Sequence, residues 1–107
     1  MADLELCRGT TPTVTIQIED EDYDLDQIDT CHVTIQNDSG RNQKIFTDCQ
    51  LDNINKTISF ILSQEDTLNY EKGMVKLQVR VKLKDGKADA SDVFIGTMKE
   101  ILEEGEI

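Results

Sequence analysis

Asp20, Asp22, Asp24 and Asp26 alternate along one short stretch of this chain, and alternating carboxylates are how a calcium-binding loop begins. With Asp20 as the first ligand, the sixth position is Leu25, where such a loop turns on glycine, and the twelfth is Cys31, where it needs glutamate. The EF-hand spacing therefore fails, which leaves only opportunistic capture of Ca²⁺ by two or three carboxylates. His32 is the sole histidine, so a two-histidine metal site is excluded and a Ser-His-Asp or Cys-His device has one candidate base. Strand phase turns His32 away from Cys31 onto the polar side, where an exposed strand histidine is the simpler reading. Among 22 acids a carboxylate pair for glycoside hydrolysis could be picked out, but no pocket-forming sequence accompanies one. Gly9 and Gly40 stand apart, and Lys84-Asp85-Gly86-Lys87 has the form of a hairpin turn, so there is no phosphate-cradling fingerprint. We expect no enzyme, no cofactor and no dedicated metal site.

The thiols point the same way. Cys7, Cys31 and Cys49 are odd in number and lack Cys-x-x-Cys spacing, which argues against a disulfide framework and a zinc knuckle. Reduced thiols in a cell interior are the simplest reading. Cys31 runs in phase with Val33 and Ile35, as a small core residue would.

Charge is the stronger functional signal. The formal net charge is −11, from 22 acids against 11 bases, and such a surface repels phosphate and anionic lipid. Direct nucleic-acid or membrane binding is not expected. Solubility and protection of sheet edges account for much of the charge. A sharper account makes the loop residues Asp20, Asp22, Tyr23, Asp24 and Asp26 an acidic face for a basic partner. Bases gather instead at Lys76, Arg80, Lys82, Lys84 and Lys87, a locally positive stripe. Lys76, Arg80 and Lys82 are then the candidate partner-binding residues on the opposite side, with charge complementarity between copies as the chemistry.

Strands must position these residues. Val75 to Leu83, Val-Lys-Leu-Gln-Val-Arg-Val-Lys-Leu, alternates throughout, the period of a half-buried strand. Val14, Ile16 and Ile18 alternate likewise behind Pro12, which suits the start of an edge strand. Cys31 to Asn37, a stretch near Gln43 to Thr47, and Thr57 to Leu62 give further strands, and Leu4 and Leu6 suit an edge strand in the lead of residues 1–10. Asn37-Asp38-Ser39-Gly40 and Asp52 to Lys56 read as turns, and Asp85-Gly86 as a hairpin returning through a strand from Ala88 to Thr97. On that strand Val93 and Ile95 are expected to pack inward. Leu25 and Ile28 suit a helical turn capping the core, and Ser63-Gln64-Glu65-Asp66 reads as an N-capped short helix with a shortened capping box. Met98, Ile101 and Leu102 fit either a docking helical turn or an extended strand.

With 107 residues, no repeats and no composition break, the chain reads as one domain over residues 1–107, with a tail at 98–107. Its expected fold is an all-β, immunoglobulin-like antiparallel β-sandwich of six to seven strands with one short crossover helix. No apolar run approaches the roughly 18 residues that cross a bilayer. The opening Met-Ala-Asp-Leu-Glu has neither a basic n-region nor an h-region, so the expectation is a soluble protein that begins where it is written.

Several stretches together resemble a known family. Arg8-Gly9-Thr10-Thr11-Pro12-Thr13, Tyr23-Asp24-Leu25, Leu62 to Leu68, Val75 to Arg80, Asp85-Gly86 with Ala88 and Ser91, and Ile101-Leu102-x-x-Gly105-x-Ile107 resemble short proteins encoded in tailed phages and prophages of Gram-positive gut bacteria. The overall plan is also similar to the immunoglobulin-like N-terminal domain of phage baseplate upper proteins. The first resemblance implies a virion structural protein, made in the host bacterial cytoplasm, whose partners are other virion proteins or further copies of itself in the tail, baseplate or capsid. It implies no activity and carries over no functional residue. A phage-encoded inhibitor of host defence, its acids mimicking nucleic-acid phosphates, is the alternative that size and charge allow.

Overall fold

The computed structural model describes residues 4–107, so the first three residues of the expected lead lie outside it. Among the described residues nine strands form two sheets. They are β1 (Leu4–Cys7), β2 (Thr13–Gln17), β3 (Ile28–Asn37), β4 (Lys44–Phe46), β5 (Gln50–Asp52), β6 (Thr57–Ile61), β7 (Gly73–Leu83), β8 (Ala88–Ala90) and β9 (Phe94–Lys99). A 3₁₀ turn at Leu25–Gln27 precedes β3, and one short helix, α1 (Gln64–Leu68), carries the chain from β6 to β7.

The larger sheet runs β1-β9-β7-β3-β4, with β8 also on β7, and the smaller runs β2-β6-β5. This is the strand order of an immunoglobulin-type sandwich. The count exceeds six to seven because β5, three residues long, is too short for alternation to announce, and the strand expected from Ala88 to Thr97 is two, β8 and β9. The sandwich is also not wholly antiparallel, because β1 pairs in parallel with β9, Leu4 opposite Gly96 through Cys7 opposite Lys99. Parallel pairing links strands remote in sequence, so local turn chemistry cannot reveal it.

β7 holds the larger sheet together. It pairs with β3 along most of its length and, on its other edge, with β9 and then β8. Val75, Leu77, Val79 and Val81 face inward, as the alternation requires, against Val14, Ile16, Ile58 and Phe60 of the smaller sheet. Phe46 and Phe60 meet across the layers, ring centroids 5.2 Å apart.

The return from Ala88 is two strands rather than one. Between them Ser91 docks on β7: its N–H donates to the Val79 carbonyl (2.9 Å), and its Oγ accepts from the Val79 N–H (3.0 Å). This irregularity shifts the phase by one residue, so Phe94, Gly96 and Met98 lie opposite Leu77, Val75 and Gly73 on the inner face. Val93 and Ile95, expected inside, are therefore 49% and 45% exposed. Met98 is buried in β9, whereas Leu102 projects fully into solvent beyond the strand's end, so the tail makes neither the docking helical turn nor an extension of the strand past Lys99.

Ser63 caps α1 as its sequence suggested: the Ser63 Oγ accepts from the Asp66 N–H (3.0 Å), and the Asp66 carboxylate accepts from the Ser63 N–H (2.8 Å). Asp66 also pairs with Lys44 of β4. Burial opposes its ionisation, but Lys44 and Ser63 outweigh this and hold the carboxyl below the usual carboxylate range. Just beyond the helix, Tyr70 is buried and its hydroxyl donates to the Ile35 carbonyl (3.0 Å).

Arg8 ties both ends of the described chain to this crossover. Its Nε donates to the Tyr70 carbonyl (2.9 Å), Nη2 to Leu68 at the end of α1 (3.1 Å), and Nη1 to Glu100 and Glu104 (2.7 Å to Glu104). Gly9, with φ +74°, is where the chain turns beneath Ile101, and a β-carbon there would meet the Ile101 side chain at 2.8 Å.

Candidate partner-binding surfaces

The acidic loop folds into two parts with different duties. Asp24 caps the 3₁₀ turn through a bond from the Asp26 N–H (3.0 Å), which buries Leu25. Asn53, in the turn between β5 and β6, ties the loop down. Its Nδ2 donates to Asp24 (2.9 Å) and Asp26 (3.1 Å), and its Oδ1 accepts from the Leu25 N–H (2.8 Å) and from Lys56 Nζ (2.8 Å). Lys56 also donates to the Tyr23 carbonyl (2.8 Å). Asp24 and Asp26 are therefore engaged in positioning the loop, although both face solvent.

Asp20 and Asp22 are the freer pair. Asp20 accepts only from the Asp22 N–H (3.0 Å) through its side chain, and both are exposed. Tyr23 lies half-buried between the two parts, its hydroxyl donating to Asp89 of β8 (3.3 Å). Burial, then the Asp89 charge, pushes its phenol above the usual tyrosine value, so it remains a neutral donor. No group of three or more His, Cys, Asp or Glu side chains among the described residues is placed to hold a metal ion.

The bases occupy the outer face of the larger sheet. The β3–β7 register sets Thr30 beside Lys82, His32 beside Arg80 and Gln36 beside Lys76. Lys76 reaches Asp38 at 3.5 Å, while Arg80 and Lys82 are exposed and have no ion-pair partner among the described residues. Apolar side chains share this face: Ile95 lies opposite Lys76 on β9, Ile45 opposite Thr34 on β4, and Met74 opposite Thr97. Ile45 and Met74 are each 51% exposed. The alternation of β7 located the basic residues, but Ile45, Met74 and Ile95 join them only through strand pairing.

Cys31 and Cys49 sit together where the chain leaves β4 for the smaller sheet, Cys31 buried and Cys49 half-buried, both free. A hydrogen bond to Cys49, then burial, pushes the Cys31 thiol up, while the same bond lowers Cys49.

Between the two sheets, alongside the acidic loop, a groove of about 520 Å³ opens on Ile16, Leu25, Val79 and Val81. Sequence spacing could not find it, because its walls come from β2, β7, β8 and the connections at their ends. No protein-family model matches the chain, and no curated protein matches it. No helix among the described residues is long and apolar enough to cross a membrane.

Proposed function

We propose that this protein is a non-enzymatic assembly module of a phage virion, in the tail, the baseplate or associated with the capsid, and that it acts through protein-protein contacts. The resemblance of Arg8 to Thr13, Leu62 to Leu68 and Ile101 to Ile107 to short phage proteins supports the setting. The observation that carries the mode of action is the outer face of the larger sheet. In a chain of net charge −11, Arg80 and Lys82 stand without an ion-pair partner among the described residues on the same face as exposed Ile45, Met74 and Ile95. Exposed apolar side chains sharing a sheet face with free cations are what a protein-binding patch presents, and an acidic surface is its complement. The loop around Asp20 and Asp22 on a neighbouring copy is one such surface.

Mass spectrometry of purified particles should find the protein at defined stoichiometry, and sedimentation should show an assembly that Arg80→Glu with Lys82→Glu dissolves. Absence from particles would remove the virion setting, and assembly unchanged by the double reversal would remove the basic face as the contact. Inhibition of a host nuclease that fails on reversing Asp20 and Asp22 would favour the nucleic-acid-mimic reading instead.

A further inference from the structure

The smaller sheet lacks a strand that its geometry has room for. The Ile18 N–H donates to Lys56 (2.8 Å) and the Leu62 N–H to Pro12 (3.0 Å), so residues 12, 14, 16 and 18 direct their backbone groups at β6. By alternation, Thr13, Thr15 and Gln17 direct their N–H and C=O groups away from it. Among the described residues β2 pairs with β6 alone, and the start of the chain, β1, runs beside β9 in the other sheet. The outer edge of β2 is thus an open row of donors and acceptors. It borders the inter-sheet groove, whose floor is core: Ile16, Leu25, Ile58, Val79 and Val81. Across the opening lies β8, paired with β7 alone, with Asp89 and Ala90 in the opposite wall.

We propose that this groove is a binding site for an extended peptide segment of a partner protein, in which apolar residues alternate with Lys or Arg, and that the segment adds to β2 as an extra strand. The backbone edge accounts for the extended form: a row of N–H and C=O groups at strand spacing is a template that another extended main chain matches, displacing water. Period-2 side chains account for the alternation, since every second residue of an added strand would point between the sheets onto Ile16 and Val81. The rim accounts for the charge. Glu19, Asp20, Asp89 and Asp92 line the mouth, and none has an ion-pair partner among the described residues. A volume of about 520 Å³ lies within the usual range for sites that enclose small ligands or a few side chains. A second copy is a poor occupant, because the exposed segment it offers, Glu100 to Ile107, carries Glu100, Glu103, Glu104 and Glu106 toward an acidic rim. The site lies apart from the basic sheet face and does not depend on the virion reading.

The test is titration of the ¹⁵N-labelled protein with a synthetic peptide of alternating Val and Lys, beside a Val-Glu peptide and a Val-Lys peptide N-methylated at alternate backbone positions. Shifts should centre on Ile16 to Asp20, Val79 to Val81 and Ala88 to Phe94, and the Thr13, Thr15 and Gln17 amides should gain exchange protection. The Val-Glu and N-methylated peptides should bind at least about tenfold more weakly. Asp20→Lys with Asp92→Lys should weaken the Val-Lys peptide by a similar factor while the protein stays folded. Equal binding of all three peptides, or shifts confined to the acidic loop without new amide protection, would overturn the proposal. Protection of the same amides that grows with protein concentration alone would overturn it in favour of a second copy.

Discussion

A single asparagine shows how far a side chain's duty can lie from its place in the sequence. Asn53 reads as an ordinary turn former, yet its amide makes four hydrogen bonds, three of which join the β5–β6 turn to the acidic loop. Asn53→Ala leaves the Leu25 N–H without its partner and two carboxylates closer to unshielded repulsion. Unfolding in urea should show a loss of about 1–3 kcal/mol, with faster exchange at Leu25; a change within error would mean that water replaces the amide at no cost. Asp66 gives a residue-scale pH dependence. Its pKa is lowered in the folded state by Lys44 and Ser63, so its contribution is complete above the unfolded carboxyl value of about 3.9 and is lost as pH falls through the lower folded value. Asp66→Asn should flatten the acid limb of the stability curve, and an unchanged limb would assign acid sensitivity elsewhere. The roles foreseen for Asp24 and Asp26 were half legible: their charge is plain in the sequence, but their attachment to Asn53 depends on a turn almost thirty residues away.

Among the elements, those with local signals were readable and those without were not. Alternation marked β7, and Ser63 with Asp66 marked α1, because both signals lie within a few residues of each other. The parallel seat of β1, whose Leu4 and Leu6 suggested only an edge strand, and the β8–β9 break have no such signal. β1 is held by its parallel partner β9, where Gly96 lies so close to Leu4 that a β-carbon would stand 2.7 Å from the Leu4 carbonyl oxygen. Gly96→Ala must therefore push β1 away. We expect a loss of about 1–3 kcal/mol from such overpacking, with the amides of β1 exchanging far faster than those of β3. Preserved protection in β1 would show that the strand can shift and keep its pairing. Val93 and Ile95 teach the complementary lesson, since one inserted residue at Ser91 reversed the face of everything after it.

For the whole molecule, acidity is a global cost as well as a surface property. A charge of −11 on a chain of 107 residues repels itself in the folded state, and only five ion pairs are formed among the described residues. Salt screens that repulsion over about 8–10 Å, so the melting temperature should rise as NaCl increases from low to physiological concentration. A fall would mean that the ion pairs at Arg8 and Lys44 outweigh the net repulsion. By itself the sequence determined that the chain is an all-β sandwich, which residues of β3, β6 and β7 form its core, where its short helix begins and where its charges lie. These follow from period, capping and composition, which act between near neighbours. Tertiary structure decided the parallel seat of β1, the phase of β9, the joining of Ile45, Met74 and Ile95 to the basic stripe, and the open edge of β2 above an apolar groove. Each of these is a relation between segments far apart in the chain, settled when the two sheets pack and burial chooses which edges and faces are left to solvent.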